Sequence, residues 1–318
     1  MNILLIAEDA AGMRMLQALR QSNHMVVAVM SSPSRPSDAR VNLWTLATKL
    51  GYRTWSAQLV KDRNFSERIR GYQVDVILNV HSLFLLCKEV LETPLLGSYN
   101  LHPGPLPRYA GLNSVSWAIY RGEKTHGVSL HRMEAGIDTG PIVSQEVFEI
   151  GSEETGLSLT VKCVNTGVPM VMRFLEAAER KPSAILEVQQ DLTKREYFGR
   201  EVPEGGNLSW CRPAQQIFNF VRSCDFGPFH SPWGHPRTAL ADCKLGIVRA
   251  RLTGKPAEAR PGTVGRVGDL GAEVACADEW ILVRQMLKGE KHFSAAAILK
   301  TGDQLEDCVT SPKSGQRD

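Results

Sequence analysis

The sequence predicts an α/β domain built on a parallel sheet, followed by a small β-barrel, and three observations carry that expectation. Apolar runs without alternation, NILLIA, HMVVAVMSS and VDVILNV, are separated by segments of helical apolar spacing. That is the order of β-α-β units, which form parallel sheets with right-handed crossovers. From residue 181 to 209 the chain turns polar, rich in Pro, Gly and charge, with no sustained period, as a linker does. Beyond it, KLGIVRARL, GTVGRV, GAEVACA and WILVRQML are short strands split by glycines, the pattern of a small barrel. At 318 residues one large or two medium domains are expected. The division we draw is a first domain over 1–185, a linker over 186–209, a barrel over 210–305 and a polar tail over 306–318.

Taken in order, NILLIA is a buried strand and AGMRMLQALRQSN a helix with Met13, Leu16 and Leu19 as its apolar stripe. The turn between them, AEDAAG, has only Gly12 and lacks the glycines that cradle a dinucleotide pyrophosphate, so nicotinamide binding is not expected. VNLWTLATKLG reads as a helix, YRTWSA as a short strand, FSERIRGYQ as a third helix and VDVILNV as another buried strand. HSLFLL is the loop that follows, with LLCKEVLET as a helix after it. From residue 154 a long helix is predicted, with Thr155 as a plausible cap and Leu157, Val161, Val164, Val168, Val171 and Leu175 as a stripe covering one sheet face. SWCRPAQQIFNFVRSC opens the second domain as a helix with Pro213 near its first turn.

The densest chemistry lies in residues 97–140, GSYNLHPGPLPRYAGLNSVSWAIYRGEKTHGVSLHRMEAGIDTG. SYNLH reads as a strand end, and on an extended chain Asn100 and His102 leave the same face. Pro103, Pro105 and Pro107 stop the strand, because proline has no backbone donor. A helix of about three turns then fits GLNSVSWAIYRGEK, HGVSLHRME follows as a strand, and AGIDTG presents Asp138 on a glycine-rich loop. If the two loops meet, an amide, an imidazole and a carboxylate converge. His126 and His131 flank the strand HGVSLH; neither is a first-choice catalyst on spacing, and His81 reads as structural or near the site.

The pattern N-x-H-P-x-x-L-P-x-Y-x-G, followed by H-G-V and D-x-G, resembles the folate-dependent formyltransferase family. The likeness is strongest over residues 1–185 and weaker to about 305. It implies a Rossmann-like parallel-sheet formyltransferase domain followed by an OB-like β-barrel. It implies that the enzyme takes a formyl group from 10-formyltetrahydrofolate, and that Asn100, His102 and Asp138 are catalytic. The same resemblance places Leu83, Phe84, Leu85, Leu86, Gly136, Ile137 and Asp138 against the folate, with Leu83 and Leu86 as apolar walls, and Tyr109, Gly111 and Asn113 toward the acceptor. Tyr197 to Arg200 would touch the mouth of the site.

The chemistry asks for these residue types on its own account. Attack of an amine on a formyl carbon builds negative charge on oxygen, which the Asn100 amide and a protonated His102 are expected to stabilise by hydrogen bonds. Asp138 would orient the imidazole and accept a proton from the amine. A protonated His102 with an ionised Asp138 would give a bell-shaped dependence of turnover on pH. No metal is required.

The motif wording is most similar to formylation domains acting on amino acids, carrier-bound aminoacyl groups or amino sugars, so a small-molecule amine or hydroxylamine is the expected acceptor. The alternatives are a methionyl-tRNA acceptor, hydrolysis of 10-formyltetrahydrofolate, and a folate- or RNA-binding protein without catalysis; Asn100 disfavours hydrolysis. A tRNA partner is disfavoured because the stretch SSPSRPSDARVNLW holds only Arg35 and Arg40 where the tRNA enzymes carry a long basic insertion, and because the basic residues of the barrel read as a solvated surface. A net charge of +3, with 43% hydrophobic and 22% charged residues, is an ordinary globular balance that argues for neither nucleic acid nor an anionic membrane. Seven scattered cysteines without C-x-x-C suit reduced thiols. With no apolar run near ~18 residues and no signal-peptide pattern, a cytoplasmic protein is expected; the oligomeric state is left open.

Overall fold

The computed structural model describes residues 1–33 and 42–307. They gather into two compact units: Met1–Ser114 with Thr125–Glu149 and Thr160–Phe198, and Val115–Lys124 with Ile150–Leu159 and the chain from Gly199 on. Arg35, Arg40 and the tail beyond 307 lie outside the described residues.

In the first unit the expected alternation is realised as β1 (Asn2–Ala7), α1 (Asp9–Arg20), β2 (Met25–Ser31), α2 (Leu43–Lys49), β3 (Thr54–Ser56), α3 (Phe65–Arg70), β4 (Val76–Val80), α4 (Lys88–Leu91) and β5 (Gly97–His102). The runs that lacked alternation are strands buried on both faces, as a sheet between helical layers requires. Gly12 lets helix meet strand, since a Cβ there would lie 2.8 Å from both Ala7 Cβ and Leu43 Cδ2. After β5 come β6 (Ala110–Gly111), α5 (Ser114–Tyr120), β7 (Thr125–Arg132), β8 (Ile142–Glu149), α6 (Gly156–Arg180) and β9 (Tyr197–Phe198). The main sheet runs β3-β2-β1-β4-β5-β7-β8; the strands as far as β5 pair in parallel, and β7 and β8 pair antiparallel. The sheet is thus mixed, with the reversal directly beside β5.

Two expected helices are shorter than predicted. Helix α4 is a single turn, because Leu86 is drawn into the core beneath β4 and the chain stays extended to Cys87. Helix α5 begins only at Ser114, and Gly122, in the left-handed conformation at φ 71°, closes it. Helix α6 starts as expected: Thr155 and Ser158 exchange hydrogen bonds, Ser158 N to Thr155 Oγ1 at 3.2 Å and Thr155 N to Ser158 Oγ at 2.9 Å. Its stripe matches the expected one at Val164, Val171 and Leu175 and departs from it at Val161, which is 47% exposed, while Leu159, Cys163, Met170, Phe174 and Ala178 are buried as well. The helix meets β5 through Gly167, whose added Cβ would lie 2.9 Å from both Leu101 Cδ atoms, and through Phe174 on Tyr99 at 4.6 Å between ring centroids. Residues alternate on a strand, so α6 covers the Tyr99 and Leu101 face and leaves Asn100 and His102 on the other.

The segment expected as a linker is divided, its residues as far as Phe198 belonging to the first unit and those from Gly199 to the second. Val188 exchanges backbone hydrogen bonds with Ile142 at 2.8 and 2.9 Å, and β9 pairs in parallel with β6.

Beside the α5 residues from Val115 and the first turn of α6, the second unit holds a curled antiparallel sheet with a helix packed on it. α7 (Ala214–Ser223) precedes β10 (Arg237–Leu240), β11 (Cys243–Pro256), β12 (Val264–Gly268), β13 (Gly271–Ala275), β14 (Glu279–Lys288), β15 (Lys291–Ser294) and β16 (Leu305–Asp307). The order is β12-β13-β14-β11-β10-β16, with β15 on β14. Val264 N to Asp303 O and Leu305 N to Gly262 O, both 2.8 Å, draw the two ends together. Ile217, Phe218 and Val221 of α7 pack with Trp210, Leu245, Ile247, Val283 and Met286 in its core. Phe220 turns instead to Cys224 and Trp233. Among the described residues no helix is long and apolar enough to cross a membrane.

The corrected stripe on α6 sets a test. Leu159→Ala should lower the unfolding free energy by about 2–5 kcal/mol, whereas Val161→Ala should stay within about 0.5 kcal/mol; urea unfolding followed by circular dichroism measures both.

Candidate active site

The carboxyl edge of β5 carries the site. The antiparallel register sets Asn100 opposite His131 and His102 opposite Ser129, so the reversal of strand direction brings a second imidazole beside the first pair. After β5 the proline loop is pinned from several sides. Ser114 Oγ donates to Pro103 O at 2.6 Å, and His126 Nε2 lies 2.8 Å from the same carbonyl. Ser129 Oγ donates to Gly104 O at 2.7 Å and accepts from Leu106 N at 3.1 Å. Gly104 is required by close approach, because a Cβ there would lie 2.7 Å from His102 Nε2.

His102 Nε2 lies 2.7 Å from Tyr109 O. A carbonyl only accepts, so Nε2 carries a proton and Nδ1 is left facing the Asp138 carboxylate, 3.4 Å from Oδ2. Asp138 Oδ2 also accepts from Gly111 N at 2.8 Å. Its other oxygen is 3.3 Å from His131 Nε2 and 3.4 Å from Asn100 Nδ2. Asn100 Nδ2 is 3.1 Å from His131 Nε2, and His131 Nδ1 is 2.8 Å from Arg132 O. The amide and carboxylate expected from the sequence thus meet two imidazoles.

Strained backbone gathers around this cluster. His81, Tyr109, Asn113 and Asp138 all take the left-handed conformation, at φ 54°, 59°, 56° and 53°. Non-glycine residues in that region concentrate at functional sites, where surrounding contacts over-determine them. At Gly111, with φ 90°, glycine is obligatory: a Cβ would lie 2.2 Å from Phe198 O.

Burial works to raise the Asp138 carboxyl, but His102, His131 and the Gly111 N–H together outweigh it and hold it well below the usual carboxylate range. For His102, burial pushes the pKa down, opposed by Asp138 and the Tyr109 carbonyl and aided by His131. The expectation of a protonated His102 is thus opposed by the desolvation of its charged form. His81 is pushed down to about 4, by burial and then by His102.

The other predicted site residues fall in two groups. In 83–86 the side chains alternate: Leu83 and Leu85 are 76% and 60% exposed, while Phe84 and Leu86 pack into the core beneath the sheet. Leu86 is accordingly a core residue and not an open apolar wall. Ile137 is exposed, and Gly136 is crowded by Thr139, whose Oγ1 would lie 2.3 Å from an added Cβ. Tyr109 is buried with its ring stacked on Phe198 at 5.4 Å, so its carbonyl, not its side chain, reaches the cluster. Gly111 contributes its N–H, and Asn113 is half-buried at the start of α5. Tyr197 and Phe198 sit beside Ala110 and Gly111.

Sequence reasoning set His131 aside and did not single out Gln190 or Arg195. His131 was legible in principle, because an antiparallel partner of SYNLH sets it opposite Asn100. Gln190 and Arg195, which contact the backbone of the Asp138 loop, have no local signal.

Residues 1–174 match the family model described as formyl transferase, and residues 202–302 match that of the formyl transferase C-terminal domain. A methionyl-tRNA formyltransferase of Lachnospira eligens is 27% identical over 302 residues, covering 92% of this chain and 93% of that protein. Among solved structures, an N-formyltransferase from Helicobacter canadensis in complex with folinic acid and dTDP-3-aminofucose superimposes with a TM-score of 0.67. It is 15% identical, over 88% of this chain and 98% of that one. HypX from Aquifex aeolicus in complex with tetrahydrofolic acid gives a TM-score of 0.65 at 16% identity over 93% of this chain. This chain spans 46% of the HypX chain, less than half.

Gly140 holds the Asp138 loop against β7, since a Cβ there would lie 2.0 Å from Arg132 O. Backbone cannot yield as a side-chain tip does, so Gly140→Ala should lower stability by about 1–3 kcal/mol in chemical unfolding.

Proposed function

The chain belongs to the formyl transferase family, and from that premise we propose that it moves the formyl group of 10-formyltetrahydrofolate to the amine of a small molecule. The observation that carries this reading is the meeting of Asn100, His102, His131 and Asp138 at one strand edge, with every contact to the carboxylate at 3.4 Å or less. The acceptor is an amino acid, an aminoacyl group or an amino sugar. The Helicobacter canadensis relative, bound to dTDP-3-aminofucose, supports the sugar class; the Lachnospira relative supports methionyl-tRNA as the second reading.

The residues present fit the donor. Leu83, Leu85 and Ile137 leave apolar surface exposed, suited to a flat ring system. Beside Asn100 in the sheet register, Asn79 has a buried Oδ1 with no hydrogen-bond partner, an acceptor available to a ligand N–H. The donor supplies a formyl carbon on a nitrogen that departs when the amine attacks, leaving tetrahydrofolate and an N-formyl product. Every further step uses the chain's own groups. The 3.4 Å contact from Asn100 Nδ2 to Asp138 is long and weak, so that N–H is the one free to turn to the developing oxyanion. Tyr109 O holds the proton on His102 Nε2, so Nδ1 faces the Asp138 carboxylate as an acceptor. A proton leaving the attacking amine is taken up by the Asp138–His102 pair, where Asp138 Oδ2 and Nδ1 share it, and is passed on to the departing nitrogen.

The test is a spectroscopic assay of tetrahydrofolate release from 10-formyltetrahydrofolate with a panel of amino acids, amino sugars, a carrier-bound aminoacyl thioester and initiator methionyl-tRNA. Release dependent on one small amine, reduced about 10²–10³-fold by Asn100→Ala and abolished by Asp138→Ala, is expected. Release with the charged tRNA alone overturns the acceptor class, and release without any amine overturns transfer in favour of hydrolysis.

The pH dependence follows from the directions of the two pKa shifts. Asp138, held well below the usual range, remains ionised from pH 5 to 9 and contributes no limb there. His102 is depressed below 6.5, so the neutral base predominates at pH 7 and is lost as pH falls through its pKa. In a chemistry-limited assay kcat should fall on the acid side of pH 6.5 and level off toward neutrality; a rate rising with acid would assign a protonated His102 instead.

A further inference from the structure

The Asp138 loop is held from a segment distant in the chain. Gln190 Nε2 donates to Asp138 O at 3.0 Å and to Gly140 O at 2.6 Å, bridging the residue that carries the carboxylate and the glycine packed on β7. Arg195 donates through its guanidinium to Ile137 O at 3.0 Å. Three carbonyls of this loop, at 137, 138 and 140, are therefore capped by two side chains of one segment. That segment is itself anchored at both ends. Val188 bonds Ile142 at one end; at the other, Glu196 N donates to Pro107 O at 3.2 Å, Glu196 O accepts from Ala110 N at 2.9 Å, and Phe198 O accepts from Leu112 N at 2.8 Å. The same stretch thus grips the loop bearing Asp138 and the loop whose Tyr109 carbonyl and Gly111 N–H hold His102 and Asp138.

The orientation of Gln190 is set by chemistry. Its Nε2 faces two carbonyl oxygens, so the amide cannot be reversed without setting oxygen against oxygen. Its Oε1 is left buried with no hydrogen-bond partner. A buried acceptor without a partner carries a desolvation cost, and it is tolerated here to keep both N–H groups on the loop. Asp138 sits at φ 53°, in the left-handed region that is uncommon for non-glycine residues and is held by surrounding contacts.

We infer that Gln190 and Arg195 are positioning residues: by capping the carbonyls of Ile137, Asp138 and Gly140 they hold the Asp138 carboxylate against His102, and segment 188–198 is the clamp that registers the two catalytic loops on each other. This inference rests on the catalytic reading of Asp138. A side chain that fixes an active group typically changes rate about 10–100-fold when removed, through small displacements of the group it holds.

The titration of His102 reads the clamp directly and needs no acceptor. The groups facing that ring are Asp138, His131 and His81, and of these Asp138 is the one that raises its pKa. Ring-labelled His102 should titrate at lower pH in Gln190→Ala, in the volume-preserving Gln190→Met and, to a lesser degree, in Arg195→Ala. Arg195→Lys, which keeps a donor, should recover part of the shift. Thr193→Ala, in the same segment but bonded to Asp191, should leave His102 unmoved. With the acceptor found by the assay above, kcat should fall about 10–100-fold in Gln190→Met with KM for the donor unchanged. A folded Gln190→Met whose His102 titration overlays that of the unsubstituted protein overturns the inference, as does an equal shift in Thr193→Ala. Asp138→Asn in the same series separates the two claims. If it leaves His102 and formyl transfer unaltered, the reading of the site fails; if it alters both while Gln190→Met alters neither, only the clamp fails.

Discussion

One buried carboxylate organises this site. A charge removed from water must be compensated by hydrogen bonds and opposite charge or be neutralised by a proton. Asp138 meets that requirement with a backbone N–H from Gly111 and with side chains from β5 and β7, none of which is its neighbour in sequence. Each partner is fixed for a separate reason: Gly111 by its contact with Phe198, His102 by the Tyr109 carbonyl, His131 by the Arg132 carbonyl. The carboxylate is the point where these constraints meet, and the left-handed backbone at Tyr109, Asn113 and Asp138 is the local cost of bringing them together.

The scaffold explains why the site sits where it does. Strand β5 is the last of the parallel strands, and its neighbour β7 runs the other way. The chain passes through β6 and α5 before β7, and the antiparallel register of β7 delivers His131 opposite Asn100. Helix α6 covers the opposite face through Gly167 and Phe174, so the Tyr99 and Leu101 side supplies stability while the Asn100 and His102 side stays free for chemistry. The balance of pKa values follows from this placement. Burial opposes charge on both groups; the attraction of His102 and the Gly111 N–H hold the Asp138 carboxyl below its ordinary range, while for His102 burial outweighs the attraction of Asp138 and lowers its pKa.

The order of strands and helices in the first unit was written in the period of the apolar residues, because strands buried on both faces need continuous apolar runs. The pairing of Asn100 with His102 followed from strand alternation, and the meeting with Asp138 from chain order in a familiar motif. The failures were of another kind. The α6 stripe was displaced because Val161 and Leu159 are equally apolar, and only the packing partner decides which is buried. Leu86 turned inward because the loop after β4 stays extended and alternates.

By itself, then, the sequence determined the α/β class, the strand on which the amide and imidazole stand, and the glycine-rich loop that bears the carboxylate. These depend on local periodicity and on residues within a few positions of each other. The tertiary structure alone decided that His131 joins the cluster, that Tyr109 serves through its carbonyl, and that Gln190 and Arg195 hold the Asp138 loop. Those depend on strand direction, on backbone groups that carry no residue identity, and on contacts spanning about fifty positions of chain, where periodicity holds no information.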